Sequence, residues 1–182
     1  MNLFRKEFRL SGSGGQGLIL AGIVLAKAAT LEGYKVTQTQ SFGPESRGGK
    51  SRSDVVISNT EIYYPEAQYF DYLLALTQEA SDSYIYDLKE NGLLMIDSGW
   101  VKNLGMTVNN IVECGFTEIT LEKLGTSLPT NIVSLSAIVR ASNIVSEKSL
   151  EKAIRLIIKP NIVDLNLKAM KLGFELADLS KN

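Results

Sequence analysis

Two short stretches of the sequence are almost continuously apolar, and they restrict the fold more than any other feature. Tyr72–Thr77 and Leu93–Asp97 are too short for buried helices, and they lack the alternation of a strand that faces water on one side. Such runs are typical of parallel strands that are covered on both faces. The sequence therefore predicts an α/β fold in which helices enclose a mainly parallel sheet.

The rest of the chain alternates between short strands and longer helical segments, as expected for a three-layer α/β/α, Rossmann-like domain. Further strands are predicted at Glu7–Ser11, Lys35–Gln40, Ser53–Ser58 and Asn110–Cys114, with a short hairpin strand at Ile62–Tyr64. Helices are predicted from Leu18 to about Leu31 and over Gln78–Lys89, Thr130–Val145, Glu147–Ile158 and Val163–Leu179. Because no linker or repeat divides residues 1–182, we expect a single domain.

The composition excludes several kinds of chemistry. The 182 residues include one cysteine and no histidine, which excludes internal disulfides, a cysteine-ligated iron–sulfur cluster and the usual zinc and Ser–His sites. The net charge of −1 gives no overall attraction to nucleic acid or to a membrane surface. No apolar stretch is long enough to cross a bilayer, and the first residues do not resemble a signal peptide. We therefore expect a cytoplasmic protein.

Two of the predicted helices have almost no polar face. Only Lys27 is charged between Leu18 and Ala29, and only Arg140 is charged between Asn131 and Ser146. Burial within the domain explains one side of each helix, and a protein partner is expected to cover the other, because a small domain rarely buries a helix all round. On this interpretation, the isolated chain would self-associate or aggregate.

A glycine-rich loop follows the first predicted strand and opens the first helix. Gly12, Gly14 and Gly17 form a G-x-G-x-x-G pattern, in which free backbone N–H groups at a helix start bind an anion such as a pyrophosphate. An ordinary NAD site also requires an acidic residue after the second strand, where Gln38 could make only a weaker contact. The alternative is that the glycines merely allow the strand and helix to pack closely.

A second loop, residues 43–52, combines glycines with three cations, Arg47, Lys50 and Arg52. Because both loops follow strands, we expect them to lie side by side at the carboxyl edge of the sheet. There they would form a rim that binds phosphate or carboxylate, with Arg47 suited to a bidentate contact. The alternative is a surface turn whose basic side chains are solvated or form salt bridges at an interface.

The two loops together resemble the gamma subunits of 2-oxoacid:ferredoxin oxidoreductases. The similarity covers Ser-Gly-Ser-Gly-Gly-Gln-Gly-Leu-Ile-Leu-Ala-Gly (11–22), residues 38–58 including Gln-Thr-Gln-Ser-Phe-Gly-Pro-Glu-Ser-Arg-Gly-Gly-Lys, Leu-Ala-Leu-Thr-Gln-Glu-Ala (74–80), Ile-Asp-Ser (96–98) and Asn-Ile-Val-Ser-Leu (131–135). The similarity is greatest with the gamma subunits of the oxidoreductases that act on 2-oxoglutarate. One departure is Leu135-Ser136-Ala137, where the family has Leu-Gly-Ala; the hydroxyl is expected to change local packing only.

The resemblance implies a part in the oxidative decarboxylation of a 2-oxoacid to an acyl-CoA, with ferredoxin as electron acceptor. In that family, thiamine diphosphate with Mg²⁺ and the iron–sulfur clusters are bound by alpha, beta and ferredoxin-like delta subunits, so this chain alone is expected to be inactive. Neither nucleic acid nor a membrane is an expected partner. The alternatives are a freestanding Rossmann-like nucleotide-binding protein and an interaction module without a ligand.

No catalytic or metal-binding residue is assigned to this chain. Instead, the two loops are expected to form an edge of the active site that contributes to CoA docking or to gating, because the phosphates of CoA suit such a rim. The candidate residues are Gly12, Gly14, Gly15, Gln16, Gly17, Ser41, Gly43, Glu45, Arg47, Gly48, Gly49, Lys50 and Arg52.

Overall fold

The computed structural model describes residues 3–42 and 49–179, and a six-stranded sheet runs through them. The strands are β1 (Arg5–Ser13), β2 (Lys35–Phe42), β3 (Lys50–Ser58), β4 (Phe70–Ala75), β5 (Leu88–Asp97) and β6 (Ile111–Cys114). They lie in the order β2-β3-β1-β4-β5-β6, and β3 is antiparallel to both of its neighbours, whereas the other pairs are parallel. The predicted, mainly parallel sheet is therefore confirmed.

Helices cover both faces of the sheet, which confirms the predicted α/β/α layering. They are α1 (Leu18–Leu31), α2 (Gln78–Tyr84), α3 (Phe116–Leu124), α4 (Thr130–Ser142), α5 (Glu147–Ile157) and α6 (Val163–Leu179). On the first face, α1, α4, α5 and α6 enclose the larger apolar core with Phe8 and Leu10 of β1. On the second face, the short α2 covers a smaller core around Phe70 and Leu94. Helix α3 was not predicted from the sequence.

Helix α4 is buried within this chain, so the prediction that a partner covers it is wrong. Every residue from Thr130 to Val139 is buried, between the sheet and helices α1, α3 and α6. Close packing on α6 makes this possible: a Cβ added at Gly173 would lie 2.1 Å from the carbonyl oxygen of Val133. Ser136 lies at the same crossing, and its hydroxyl donates to the Ile132 carbonyl at 2.7 Å, within the helix.

The connection from β3 to β5 also differs from the prediction. Residues 62–64 form no strand, because Arg5 and Thr37 bind the carbonyls of Tyr64 and Pro65 in place of a ladder. The expected helix over Gln78–Lys89 ends at Tyr84, and a 3-10 turn (Ile85–Asp87) leads directly into β5.

The expected stop signal Asn91-Gly92 lies inside β5. Phe70 pairs with Leu88, and Tyr72 pairs with Leu93, so that the intervening residues of β5 bulge out of register. Burial of Leu88 explains why the strand begins five residues before the continuous apolar run.

Candidate functional site

The glycine loop joins the carboxyl end of β1 to the start of α1, as predicted. Gly15 and Gly17 have φ angles of +92° and +73°, which favour glycine because other residues are strained there. Gly17 is the N-cap of α1 and provides no side-chain hydrogen bond to the helix. The amides at the start of α1 are therefore not capped by the residue that precedes them.

Gln16 folds back over this loop. Its Oε1 accepts a hydrogen bond from the Ser13 backbone N–H at 2.7 Å, and the same oxygen would lie 2.2 Å from a Cβ at Gly12. Gly12 is thus required for the close approach of the Gln16 side chain. This oxygen stabilises the turn, whereas a contact between the amide of Gln16 and a ligand stays a prediction.

Asn131 fixes the other side of the loop, a role that the sequence analysis did not predict. Its Nδ2 donates to the Gly17 carbonyl at 2.9 Å, and that carbonyl also accepts the Ala21 N–H of the first helical turn at 3.0 Å. A Cβ at Gly17 would lie 2.5 Å from Asn131 Nδ2. The start of α4 therefore holds the start of α1. The only sequence signal was the inclusion of Asn131 in the family-like stretch 131–135.

The two predicted loops are neighbours wherever the structure describes them. The Gly14 N–H donates to the Gly49 carbonyl at 2.7 Å, and Ser13 pairs with Lys50. Ser41 of β2 pairs with Arg52 of β3, which places the second loop between two paired strands. Four candidate residues lie outside the described residues: Gly43, Glu45, Arg47 and Gly48.

Lys50 and Arg52 are directed toward α2. The Lys50 ammonium lies 3.5 Å from the Glu79 carboxylate, and the Arg52 guanidinium lies 5.4 Å from the centre of the Tyr84 ring. These residues contact the helix of the second face, whereas α1 begins on the first. A positive field from Lys50 and Arg52 at the glycine loop therefore stays a prediction.

Two shallow cavities flank Gly15 and Gln16 at this edge of the sheet. One, of about 200 Å³, is lined by Leu76, Trp100 and Leu128; the other, of about 170 Å³, is also lined by Leu128, together with Leu20 and Leu165. Trp100 and Leu128 are 58% and 83% exposed. The uncapped start of α1 thus lies beside an apolar wall, an arrangement that suits a ligand with both anionic and apolar parts.

The structure gives no support for an ordinary NAD site at this loop. Gln38 Nε2 donates to Ser53 Oγ at 2.9 Å, so its side chain links β2 to β3 beneath α1. Ser53 Oγ would lie 2.0 Å from a Cβ at Gly22, which shows how closely α1 packs on the sheet. The alternative for the loop glycines, that they allow the strand and helix to pack closely, is supported at Gly12, where an added Cβ would lie 3.0 Å from Leu18 Cδ1 and 3.3 Å from Leu76 Cβ.

A buried ion pair on the second face was not found from the sequence. The Arg9 guanidinium donates to both carboxylate oxygens of Asp54, at 2.7 and 2.6 Å, and it lies between the rings of Phe70 and Tyr84 at 4.0 and 4.5 Å. One sign was available, since Arg9 and Asp54 each interrupt a stretch predicted as a strand. Only their cross-strand pairing shows that the charges balance.

Residues 7–176 match the family model described as pyruvate ferredoxin/flavodoxin oxidoreductase. The chain belongs to this family.

Members of the oxidoreductase family match almost the whole chain. It is 43% identical over 176 residues to 2-oxoglutarate synthase subunit KorC of Methanocaldococcus jannaschii, covering 95% of this chain and 94% of that protein. The crystal structure of a keto/oxoacid ferredoxin oxidoreductase gamma subunit from Geobacter sulfurreducens superposes with a TM-score of 0.89 and 41% identity, covering 97% and 98% of the two chains. The expected gamma-type subunit of a 2-oxoacid:ferredoxin oxidoreductase is therefore confirmed.

A more distant structure shows the same fold. The 2-oxoglutarate:ferredoxin oxidoreductase from Magnetococcus marinus, with 2-oxoglutarate, coenzyme A and succinyl-CoA bound, has a TM-score of 0.84 and 22% identity. The match covers 96% of this chain and 31% of that longer one.

The residues of this family member do not fit an iron–sulfur cluster. Cys114 is the only cysteine of the chain, and burial together with the nearby charge of Asp97 raises the pKa of its thiol to about 11. Asp97 itself accepts hydrogen bonds from Thr117 and the Gly99 N–H, which tie the end of β5 to the start of α3. Across residues 3–42 and 49–179, no group of three His, Cys, Asp or Glu side chains is placed to hold a metal ion.

Within residues 3–42 and 49–179, no helix is long and apolar enough to cross a membrane.

Proposed function

We propose that this chain is the gamma subunit of an oxidoreductase that converts 2-oxoglutarate and CoA to the acyl-CoA and CO₂, and that reduces ferredoxin. The single observation that carries this proposal is the 43% identity to 2-oxoglutarate synthase subunit KorC over nearly the full length of both proteins. A cytoplasmic location and a single domain over residues 1–182 are part of the same proposal.

The redox cofactors belong, on this proposal, to partner subunits of alpha, beta and ferredoxin-like delta type. One cysteine with a raised pKa cannot supply the set of thiolates that a cluster needs. Thiamine diphosphate, bound with Mg²⁺ elsewhere in the assembly, would supply the decarboxylation chemistry. The isolated chain is then inactive, and its own contribution lies in assembly and in shaping an edge of the active site.

The glycine loop supports a part in CoA docking. The N-terminal amides of α1, with Gly14 and Gly15 exposed in front of them, suit a phosphate group. Trp100 and Leu128 beside the loop suit the apolar part of the CoA arm. Gating of access to the neighbouring subunits is the other role that this position supports.

The proposal is tested by affinity purification of the tagged chain from its native cells without oxygen. Iron-containing partner subunits are expected to co-elute, with CoA-dependent dye reduction that is fastest with 2-oxoglutarate and slower with pyruvate and branched-chain 2-oxoacids. A colourless single chain without partners would overturn the subunit proposal. In that case, nucleotide binding by the isolated chain would favour the freestanding alternative.

CoA docking is tested separately in the assembled enzyme. Arg47→Ala and Lys50→Gln are expected to raise the apparent KM for CoA several-fold and leave the KM for 2-oxoglutarate unchanged. Lys152→Gln on the exposed side of α5 is the matched control and should change neither constant. An unchanged KM for CoA in both loop variants would contradict CoA docking by this rim.

A further inference from the structure

Two family-like stretches of the sequence, 74–80 and 96–98, have no assigned role in the proposed function. They include the ends of β4 and β5. Because β4 pairs in parallel with both β1 and β5, the carboxyl ends of all three strands lie at one edge of the sheet. Ligands of such sheets bind in the crevice outside the carboxyl ends of the strands. The segments that follow β4 and β5 therefore lie where they can complete the site at the glycine loop.

Gln78, the first residue of α2, binds the segment after β5 through its side chain. Its Oε1 accepts hydrogen bonds from the backbone N–H groups of Lys102 and Asn103, at 2.8 and 3.1 Å. Its Nε2 donates to the Asn103 carbonyl at 2.7 Å and to the Asp82 carboxylate, one turn further along α2, at 2.8 Å. Both the oxygen and the nitrogen of one side-chain amide thus hold the segment to α2.

The segment that Gln78 holds carries Trp100, the only tryptophan of the chain. The N–H groups of Trp100 and Val101 both donate to the Asp97 carbonyl at 2.9 Å, which closes a turn at the end of β5. Val101 is buried in the smaller core, whereas Trp100 is exposed and lines the cavity beside Gly15. Because the backbone on both sides of Trp100 is fixed, a ligand that contacts the indole ring orders little of the chain on binding.

The charged side chains next to this contact already have partners. The Lys102 ammonium donates to the Ser98 carbonyl at 2.8 Å. The Glu79 carboxylate lies 3.5 Å from the Lys50 ammonium. The segment therefore offers a ligand the apolar ring of Trp100, and not a free charge.

We infer that Gln78 is a positioning residue for CoA: it holds Trp100 against the apolar part of the CoA arm, while the start of α1 binds a phosphate. The inference deepens the proposed function and rests on it, because it names the residue that fixes one wall of the CoA site. Gln78 itself touches no reactant and acts only through Trp100.

A double-mutant cycle in the assembled enzyme tests this role. Trp100→Ala is expected to raise the apparent KM for CoA about tenfold, and Gln78→Ala several-fold, while kcat and the KM for 2-oxoglutarate stay unchanged. Because Gln78 acts through Trp100, the double variant should have the same KM for CoA as Trp100→Ala alone. The matched control Gln68→Ala removes an exposed glutamine just before β4, at the opposite end of that strand, and should change none of these constants.

The fluorescence of Trp100 gives a readout that does not depend on activity. In the purified chain, this single tryptophan reports on its own segment alone. Gln78→Ala is expected to lower the fluorescence anisotropy, since the released segment moves more freely, whereas Gln68→Ala should not. Gln78→Glu keeps an oxygen for the two backbone N–H donors and should lie closer to the wild type. Circular dichroism checks that each variant is folded.

Three results would overturn the inference. They are an unchanged KM for CoA in Trp100→Ala, effects of the two single variants that add in the double variant, and an unchanged anisotropy in Gln78→Ala. A wild-type chain that yields neither partner subunits nor CoA-dependent dye reduction would instead overturn the proposed function, so the two failures are distinguishable.

Discussion

The two faces of the sheet are stabilised in different ways. On the first face, helices pack directly on one another, and α4 and α6 approach so closely at Gly173 that no side chain fits between their backbones. On the second face, the layer is thinner, and beside its small apolar core lies the buried pair Arg9–Asp54, with the Arg9 guanidinium against the rings of Phe70 and Tyr84. The first face depends on shape, and the second depends on the balance of charge.

The largest effect is expected from unbalancing the second face. Arg9→Leu would leave the buried Asp54 carboxylate with only Arg52 nearby, 4.0 Å away and without the two hydrogen bonds that Arg9 donates, which we expect to lower the free energy of unfolding by about 3–5 kcal/mol. Urea denaturation followed by circular dichroism measures the loss. The double variant Arg9→Leu/Asp54→Leu should recover most of it, because no buried carboxylate then lacks its partner and the neighbouring charges of Arg52 and Asp87 are partly exposed.

An exposed pair serves as the control for this comparison. Arg155→Ala removes the partner of Glu151 on the surface of α5, and only about 0.3–0.5 kcal/mol should be lost. If Arg9→Leu cost no more than that, the second face would not depend on charge balance.

A smaller effect is expected from filling the close contact on the first face. Gly173→Ala places a methyl group against the Val133 carbonyl and the Ser136 side chain, so α6 must shift, at a cost of about 2–3 kcal/mol. Without the collision, alanine in a helix would stabilise by roughly 0.5–1 kcal/mol. Thermal melting that shows such a gain would contradict the described crossing. At Gly33, an added Cβ would meet no other atom, but the φ angle is +85°. Gly33→Ala therefore measures the cost of the backbone conformation without a collision.

The smallest effect is expected from the pH dependence of Asp71, which lies near the start of β4. Burial alone would raise the pKa of Asp71, but hydrogen bonds from Lys89, the Glu7 N–H and Lys6 lower it below its ordinary value of 3.8. Asp71 then binds a proton more readily in the unfolded chain than in the folded one. Its hydrogen bonds therefore stabilise the fold fully well above pH 3.8, and this stabilisation is lost as the pH falls below that value. We expect about 1 kcal/mol, because both lysines are partly exposed. In urea titrations across this pH range, Asp71→Asn should remove that part of the dependence; an unchanged profile would show that Asp71 does not contribute.

The sequence predicted the layers of the fold because they depend on local patterns. Apolar runs identified β4 and β5, and glycine signals placed the start and end of α1. It failed where a contact distant in the sequence decides the outcome. Leu88 extends β5 by pairing with Phe70, and α4 is covered by α6 at Gly173.

The candidate site was predictable to the same extent. Because both loops follow strands, they were expected to lie side by side, and the Gly14–Gly49 hydrogen bond confirms this. The role of Asn131 depends on a contact across 114 positions of the sequence, which no local pattern encodes. The Arg9–Asp54 pair spans 45 positions, and each residue alone gave only an unexplained charge in a strand.

The edges of the sheet bear on how this subunit behaves before it meets its partners. One edge strand, β6, has only four residues, and the other, β2, is rich in threonine and glutamine and begins at Lys35, which forms an ion pair with Glu61. Short or polar edges resist strand addition between molecules, the first step of many kinds of aggregation. With α4 also covered, only one of the two helices that were expected to cause self-association, α1, keeps apolar side chains at the surface, such as Ile23. Before assembly, copies of the gamma subunit are therefore not expected to join one another through the edges of their sheets.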